Sequence, residues 1–194
     1  MRNGVLIAAI AAALVSCGTT VPKTMTFGEE KLIDASPEVM RILSVDNPKD
    51  VPVLRRPSRN FNLTDINSAR YQTLARKLVK TLESTDGGVG LAAPQVGINR
   101  RVVAVQRVDK EGEPIEVYPN IRIEEFRGEM EEGPEGCLSV PNRRGNVSRW
   151  QDIEISYSDP ETLKDTTERI AGFTAVIFQH ECDHLLGILY TDKL

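Results

Sequence analysis

Histidine is nearly absent from this chain, with two among 194 residues. Cysteine is almost as scarce. The three, at positions 17, 137 and 182, are too few and too scattered for the disulfide framework of a small secreted domain. Positive charge is not in excess either: 24 Lys and Arg against 28 Asp and Glu give a net charge of −4, with no Lys/Arg block along the chain. That excludes the basic footprint of a nucleic-acid binder, so no nucleic-acid partner is expected. No apolar run reaches the ~20 residues of a membrane-spanning helix, and neither an internal repeat nor a low-complexity tract is present. What remains is an ordinary soluble composition, 40% hydrophobic and 27% charged, at a length that suits one domain with a real core.

Both histidines fall in one stretch, Gln179-His180-Glu181-Cys182-Asp183-His184. On a helix of 3.6 residues per turn, positions four apart share a face, so the two imidazoles can reach one cation. Glu181 points at an adjacent angle and can stand beside that cation as a general base, the mechanical content of H-E-x-x-H. The plain alternative is a helix that carries two surface histidines. Phe173, Val176 and Ile177 precede His180 on the same face, so the histidines are expected to continue an apolar stripe into the core.

The first residues read as an address. Met1-Arg2-Asn3 is a short positive region, Val5 to Leu14 is apolar and alanine-rich, and Leu14-Val15-Ser16-Cys17 follows. This resembles a bacterial lipoprotein signal, which implies a signal peptide over 1–16, lipidation at Cys17 and a membrane partner through that lipid anchor. A plain secretory signal or a buried N-terminal helix are the alternatives. Residues 17–50 are then expected as a lipid-attached tether and N-terminal extension, with a catalytic domain over 51–194. Ser36-Pro37-Glu38 could start a short helix, and Val51 to Pro57 reads as an extended segment.

Beyond it, Ile66, Leu74, Leu78 and Leu82 predict an amphipathic helix ending near Thr85-Asp86-Gly87-Gly88. Strands are expected over 101–108, 115–118, 121–126, 153–157 and 167–171, with Ile188-Leu189-Tyr190 as a final strand after a helix ended by Gly187. Helices and strands do not alternate. The fold class expected is α+β, mostly antiparallel sheets packed around the central helix that bears the histidines.

Two other stretches carry chemistry. In Glu135-Gly136-Cys137-Leu138-Ser139-Val140-Pro141, Cys137 is the candidate to complete a His₂Cys set for Zn²⁺ or Fe²⁺. It could also be a small buried hydrophobe or pair with Cys182. Against pairing, Cys182 lies roughly 200° around the helix from the histidines and should face packing. The stretch Gly88-Val89-Gly90-Leu91-Ala92-Ala93-Pro94-Gln95 imitates a dinucleotide fingerprint, but a helix precedes it and Pro94 follows, the reverse of what that motif requires. Gln95 is instead a neutral donor that can be aimed at an oxyanion.

Taken in order, GVGLAAPQ (88–95), EGCLS (135–139) and QHECDH (179–184) resemble the three signature motifs of the peptide deformylase family. The likeness runs from about Val51 onward and includes 150–159 and 184–190. It implies metal ligands Cys137, His180 and His184, general base Glu181, and an oxyanion site of the Gln95 side chain with the Leu138 N–H. It also implies a cleft lined by the backbone of Val89, Gly90 and Gly136 with Arg144 near the substrate backbone. The implied cofactor is one divalent ion, Fe²⁺, with Zn²⁺ or Ni²⁺ also able to occupy the site, and the implied substrate is an N-formylmethionyl peptide. Asp183 is expected to orient a neighbour by hydrogen bonds.

Two features depart from the family. Many members continue into a basic C-terminal helix implicated in ribosome docking, whereas this sequence reaches Asp192-Lys193-Leu194, which makes such docking doubtful; and an export signal is out of place on an enzyme of nascent chains. An exported, membrane-anchored hydrolase is therefore expected. The alternatives are a cytoplasmic deformylase, an amidase or peptidase acting on other N-acyl substrates, and a binding module without turnover.

Overall fold

The structure, a computed structural model, describes residues 25–194. The proposed signal, Cys17 and the first part of the tether lie outside the described residues. Among the described residues, two antiparallel three-stranded sheets and five α-helices make an α+β fold. Strands β1 (Gly90–Ala92), β2 (Val102–Gln106) and β3 (Ile115–Pro119) form the first sheet; β4 (Arg122–Cys137), β5 (Val140–Ser158) and β6 (Asp165–Ala171) form the second. Helix α5 (Phe173–Leu185) lies between them. Its Ala175, Phe178, Cys182 and Leu185 join Val103, Val105, Ile153 and Ile155 in one buried cluster. No described helix is long and apolar enough to cross a membrane.

The segment after Met25, the expected N-terminal extension, is folded against the body of the protein. Helix α1 (Phe27–Ala35) starts at a capping box in which the Thr26 side chain accepts from Glu29 N–H and Glu29 reaches back to Thr26 N–H. Buried Lys77 closes the other end by donating to the carbonyls of Ile33 and Ser36, both at 2.6 Å. Ser36 therefore ends a helix where the sequence suggests a start, and Met25, Ile33 and Met40 are buried against the main core. Ile33 has no exposed surface. Ile33→Ala is expected to cost about 2–5 kcal/mol in urea unfolding; an unchanged midpoint would make α1 an appendage.

Other differences are local. Val51–Leu54 is a helical turn, α2, and not extended, because Pro52 occupies its first turn and needs no N–H there. The expected amphipathic helix divides into α3 (Leu63–Ile66) and α4 (Ala69–Glu83), with Ser68 capping the second by accepting from Tyr71 N–H. Residues 188–190 form no strand: Gly187 takes a left-handed φ of 75°, and Tyr190–Lys193 closes as a 3₁₀ turn. Strands β4 and β5 are far longer than their apolar alternation suggests. Most of β4 is exposed, so backbone pairing and not burial defines it.

Candidate active site

The long β4–β5 hairpin folds back at Leu138-Ser139, with Cys137 paired to Val140 and Gly136 to Arg144. The register shift between those two pairs is a bulge that throws Asn142 and Arg143 out at the cleft mouth, with Asn142 at a φ of 59°. Cys137 and Leu138 are thus presented at a hairpin tip facing α5. The stripe Phe173, Val176 and Ile177 enters the core only at its last member, Ile177, which is buried with Phe178 and Cys182. Phe173 is 57% exposed and, with half-buried Val176, walls a cleft of about 780 Å³ that Ile177 also borders from the core side.

Cys137 Sγ and ring nitrogens of His180 and His184 lie within 4.8 Å of one another. Cys137 Sγ is 3.1 Å from His184 Nε2. His180 Nδ1 is held at 2.7 Å by Glu135, which turns the other ring nitrogen toward the cluster. Tyr190 stacks on the His180 ring at 6.1 Å between centroids. A thiolate and two imidazoles are a fitting donor set for Fe²⁺ or Zn²⁺. Buried Glu181 Oε2 and His184 Nδ1 have no partner among the described residues. Charge agrees: burial alone would lower His180, but Cys137, Glu135 and Glu181 raise it to about 10, so anionic groups crowd this spot. His184 is pushed down by burial. Cys182 is buried on the far side and free, so it does not pair with Cys137.

Glu181 sits against the backbone of β1. Burial pushes its carboxyl up to about 7, near the value that suits a group taking and returning a proton. Gly90 makes this approach possible, since a Cβ there would lie 2.8 Å from Glu181 Cδ. Gly90→Ala is expected to push Glu181 aside and lower kcat about 10²-fold with the protein still folded; full activity would mean the carboxylate has slack.

Gln95 is 1% exposed. Its Oε1 accepts from Ala92 N–H at 2.8 Å, while Nε2 donates to Ser139 Oγ at 3.1 Å and lies 3.7 Å from Cys137 Sγ. The N–H₂ end therefore faces the cluster. Leu138, Val89, Gly90 and Gly136 line the same cleft, as do Arg143 and Arg144 at its rim.

The structure adds Arg149, which lies in no motif, and gives Glu135 a role that its motif does not disclose. Arg149, 3% exposed, grips Glu135 through two bonds of 2.6 and 3.0 Å and Asp183 through one of 2.5 Å. Asp183, expected to orient a neighbour, holds Arg149 and pairs with Lys193 at 2.9 Å. Burial alone would raise Glu135, but His180 and Arg149 hold it down at about 2. A line of charge thus runs from His180 through Glu135 and Arg149 to Asp183. The sequence hint is that Glu135 opens the EGCLS stretch, two residues from Cys137.

Comparison with known proteins agrees with this geometry. The model of the polypeptide deformylase family matches residues 39–194. This chain belongs to the peptide deformylase family. It is 36% identical over 163 residues to a peptide deformylase of Leptospira biflexa, covering 80% of this chain and 88% of that one. Among solved structures, a class I type b peptide deformylase from Acinetobacter baumannii with Met-Ala-Ser bound superposes with a TM-score of 0.70 at 33% identity, over 80% of this chain and 98% of that one. The Thermotoga maritima peptide deformylase gives 0.69 at 30% identity, over 80% and 97% of the two chains. The family match begins at Val39, so α1 lies ahead of the matched region.

Proposed function

We propose that this deformylase removes the formyl group from N-formylmethionyl peptides, releasing formate and a free amino terminus, with one divalent ion held by Cys137, His180 and His184. The observation that carries the reading is the convergence of those three donors within 4.8 Å on a cleft that Glu181 and Gln95 also face. When bound, the ion supplies positive charge that lowers the pKa of a water and polarises the formyl carbonyl. Glu181 takes the proton of the attacking water and returns it to the departing amine. The Gln95 side chain and the Leu138 N–H receive the developing oxyanion. Val89, Gly90 and Gly136 offer backbone to the peptide as a partner strand. Arg144, across the hairpin from Gly136, lies beside it. Fe²⁺ is the ion the resemblance favours, while export to an oxidising compartment would favour Zn²⁺.

The acyl group is the sharpest discriminator. Formyl-Met-Ala-Ser should turn over, and acetyl-Met-Ala-Ser and the unblocked peptide should not. Equal rates on formyl and acetyl substrates would favour a general amidase.

The N-terminal 17 residues support a second proposal, that the enzyme is exported and anchored through lipid on Cys17. Radiolabelled palmitate should enter the wild type and be lost in Cys17→Ala; labelling in neither would rule out the lipid anchor.

A further inference from the structure

The two oxyanion donors come from different sheets, Gln95 from the 3₁₀ turn after β1 and Leu138 from the β4–β5 tip. One segment ahead of α2 bridges them. Leu43 N–H donates to the Gln95 carbonyl at 2.7 Å, and Val45 N–H donates to the Ser139 carbonyl at 2.9 Å. Ser139, fully buried, is also the residue whose Oγ accepts from Gln95 Nε2 at 3.1 Å. The same three residues therefore brace the turn that carries Gln95 and the hairpin tip that carries Leu138. The brace is itself fastened: Asp50, 4% exposed, accepts from Ser44 N–H at 3.1 Å and from both terminal nitrogens of Arg41 at 2.8 Å. Val45 packs on Val140, Val147, Leu189 and Tyr190, and Leu43 is buried. No residue of the segment lines the cleft.

We infer that Leu43–Val45 is a positioning strap for the oxyanion site, with Asp50 as its lock. The inference rests on the formyl-hydrolase reading of the cleft. Oxyanion donors act only where they are already in place when charge develops, and a displacement of ~1 Å at a reacting centre costs about 10²-fold in rate. The strap adds a backbone brace, beside the Gln95 Nε2–Ser139 Oγ bond, between two donors that sit on different sheets. Peptide binding along Val89, Gly90 and Gly136 does not depend on it directly. Loosening the strap should therefore weaken the chemical step and spare substrate binding.

The test uses Asp50→Ala, Asp50→Asn and the wild type, each loaded with Co²⁺ for kinetics and absorption and with diamagnetic Zn²⁺ for the ¹⁵N spectrum. Three readouts apply: kcat and KM for formyl-Met-Ala-Ser, the cobalt–thiolate absorption, and the position of the Gln95 side-chain amide in a ¹⁵N spectrum, assigned through Gln95→Glu. In Asp50→Ala, kcat should fall about 10- to 100-fold with KM within about twofold, the cobalt spectrum unchanged and the Gln95 amide signal displaced. Asp50→Asn keeps an acceptor for Ser44 N–H and should lose less. An unmoved Gln95 signal, a loss expressed in KM, or a fall in kcat that tracks lost cobalt would overturn the strap. Should Asp50→Ala not fold, Arg41→Gln loosens the same lock from the exposed side and is judged by the same three readouts. A wild type that releases no formate would refute the formyl reading alone. The Gln95 amide then decides the strap: displaced upholds it, unmoved overturns it.

Discussion

Glu181→Ala is expected to lower kcat for formyl-peptide hydrolysis by about 10²–10⁴-fold, the range a positioned acid–base group contributes. KM and the bound metal should hardly change. The separation is possible because Glu181 lies in the cluster without belonging to its donor set: the three donor atoms come from Cys137, His180 and His184. The cavity left by the shortened side chain faces Gly90 and the cleft, so the fold has little to lose. Glu181→Gln keeps the volume and removes the basicity, and should be nearly as slow. Steady-state kinetics with metal analysis on both variants checks this. Activity within tenfold of wild type would remove Glu181 from the chemistry.

The largest expected effect on stability belongs to Arg149→Met. Its guanidinium is buried between Glu135 and Asp183, and removing it leaves these desolvated carboxylates with only His180 and Lys193 as ionic partners, at about 3–5 kcal/mol. For a chain of this length that is a fall in Tm of roughly 6–20 °C. Metal affinity should fall as well, because Glu135 would no longer be held where it orients His180. The pH dependence has a definite sign. Glu135 is held at about 2 against an ordinary 4.5, so its contribution is complete above pH 4.5 and is lost as pH falls toward 2. Integrated over that shift, it amounts to about 3 kcal/mol. Thermal melts between pH 7 and pH 3 should show wild type losing stability faster than Arg149→Met. Parallel curves would mean that the pair is neutral to folding.

The parts of this site that the sequence makes legible are those where chemistry constrains residue type and spacing together. His180, Glu181 and His184 need a helix, and a helix forms there. Cys137 and Gln95 stand out because a thiol beside glycine and an amide after two alanines and a proline have few structural reasons to occur. The role of Glu135, though it opens the EGCLS stretch, and the presence of Arg149 are illegible for the opposite reason. In a chain with 52 charged residues, each reads as solvated surface until a partner from 14 positions away is seen beside it. Strand β4 hides similarly, since a ladder held by its backbone leaves no alternation for a pattern to find. Helix α1 is concealed by Ser36-Pro37-Glu38, which imitates a helix start, while the operative signal, Thr26 with Glu29 three residues later, is ordinary in composition. The stripe on α5 is visible, but its direction is not. Phe173 and Val176 are apolar whether they meet core or cleft, and only the packing of Phe178, Cys182 and Leu185 on the other side decides it.

The most direct measurement is the product balance of one reaction. Protein purified anaerobically, carrying about one divalent ion per chain, is given formyl-Met-Ala-Ser, and formate and new amino termini are counted together. The account predicts formate and intact Met-Ala-Ser in equal amounts, with no reaction after the ion is removed by chelation and recovery when it is restored. Cleavage at an internal peptide bond, or full turnover by the metal-free protein, would contradict it.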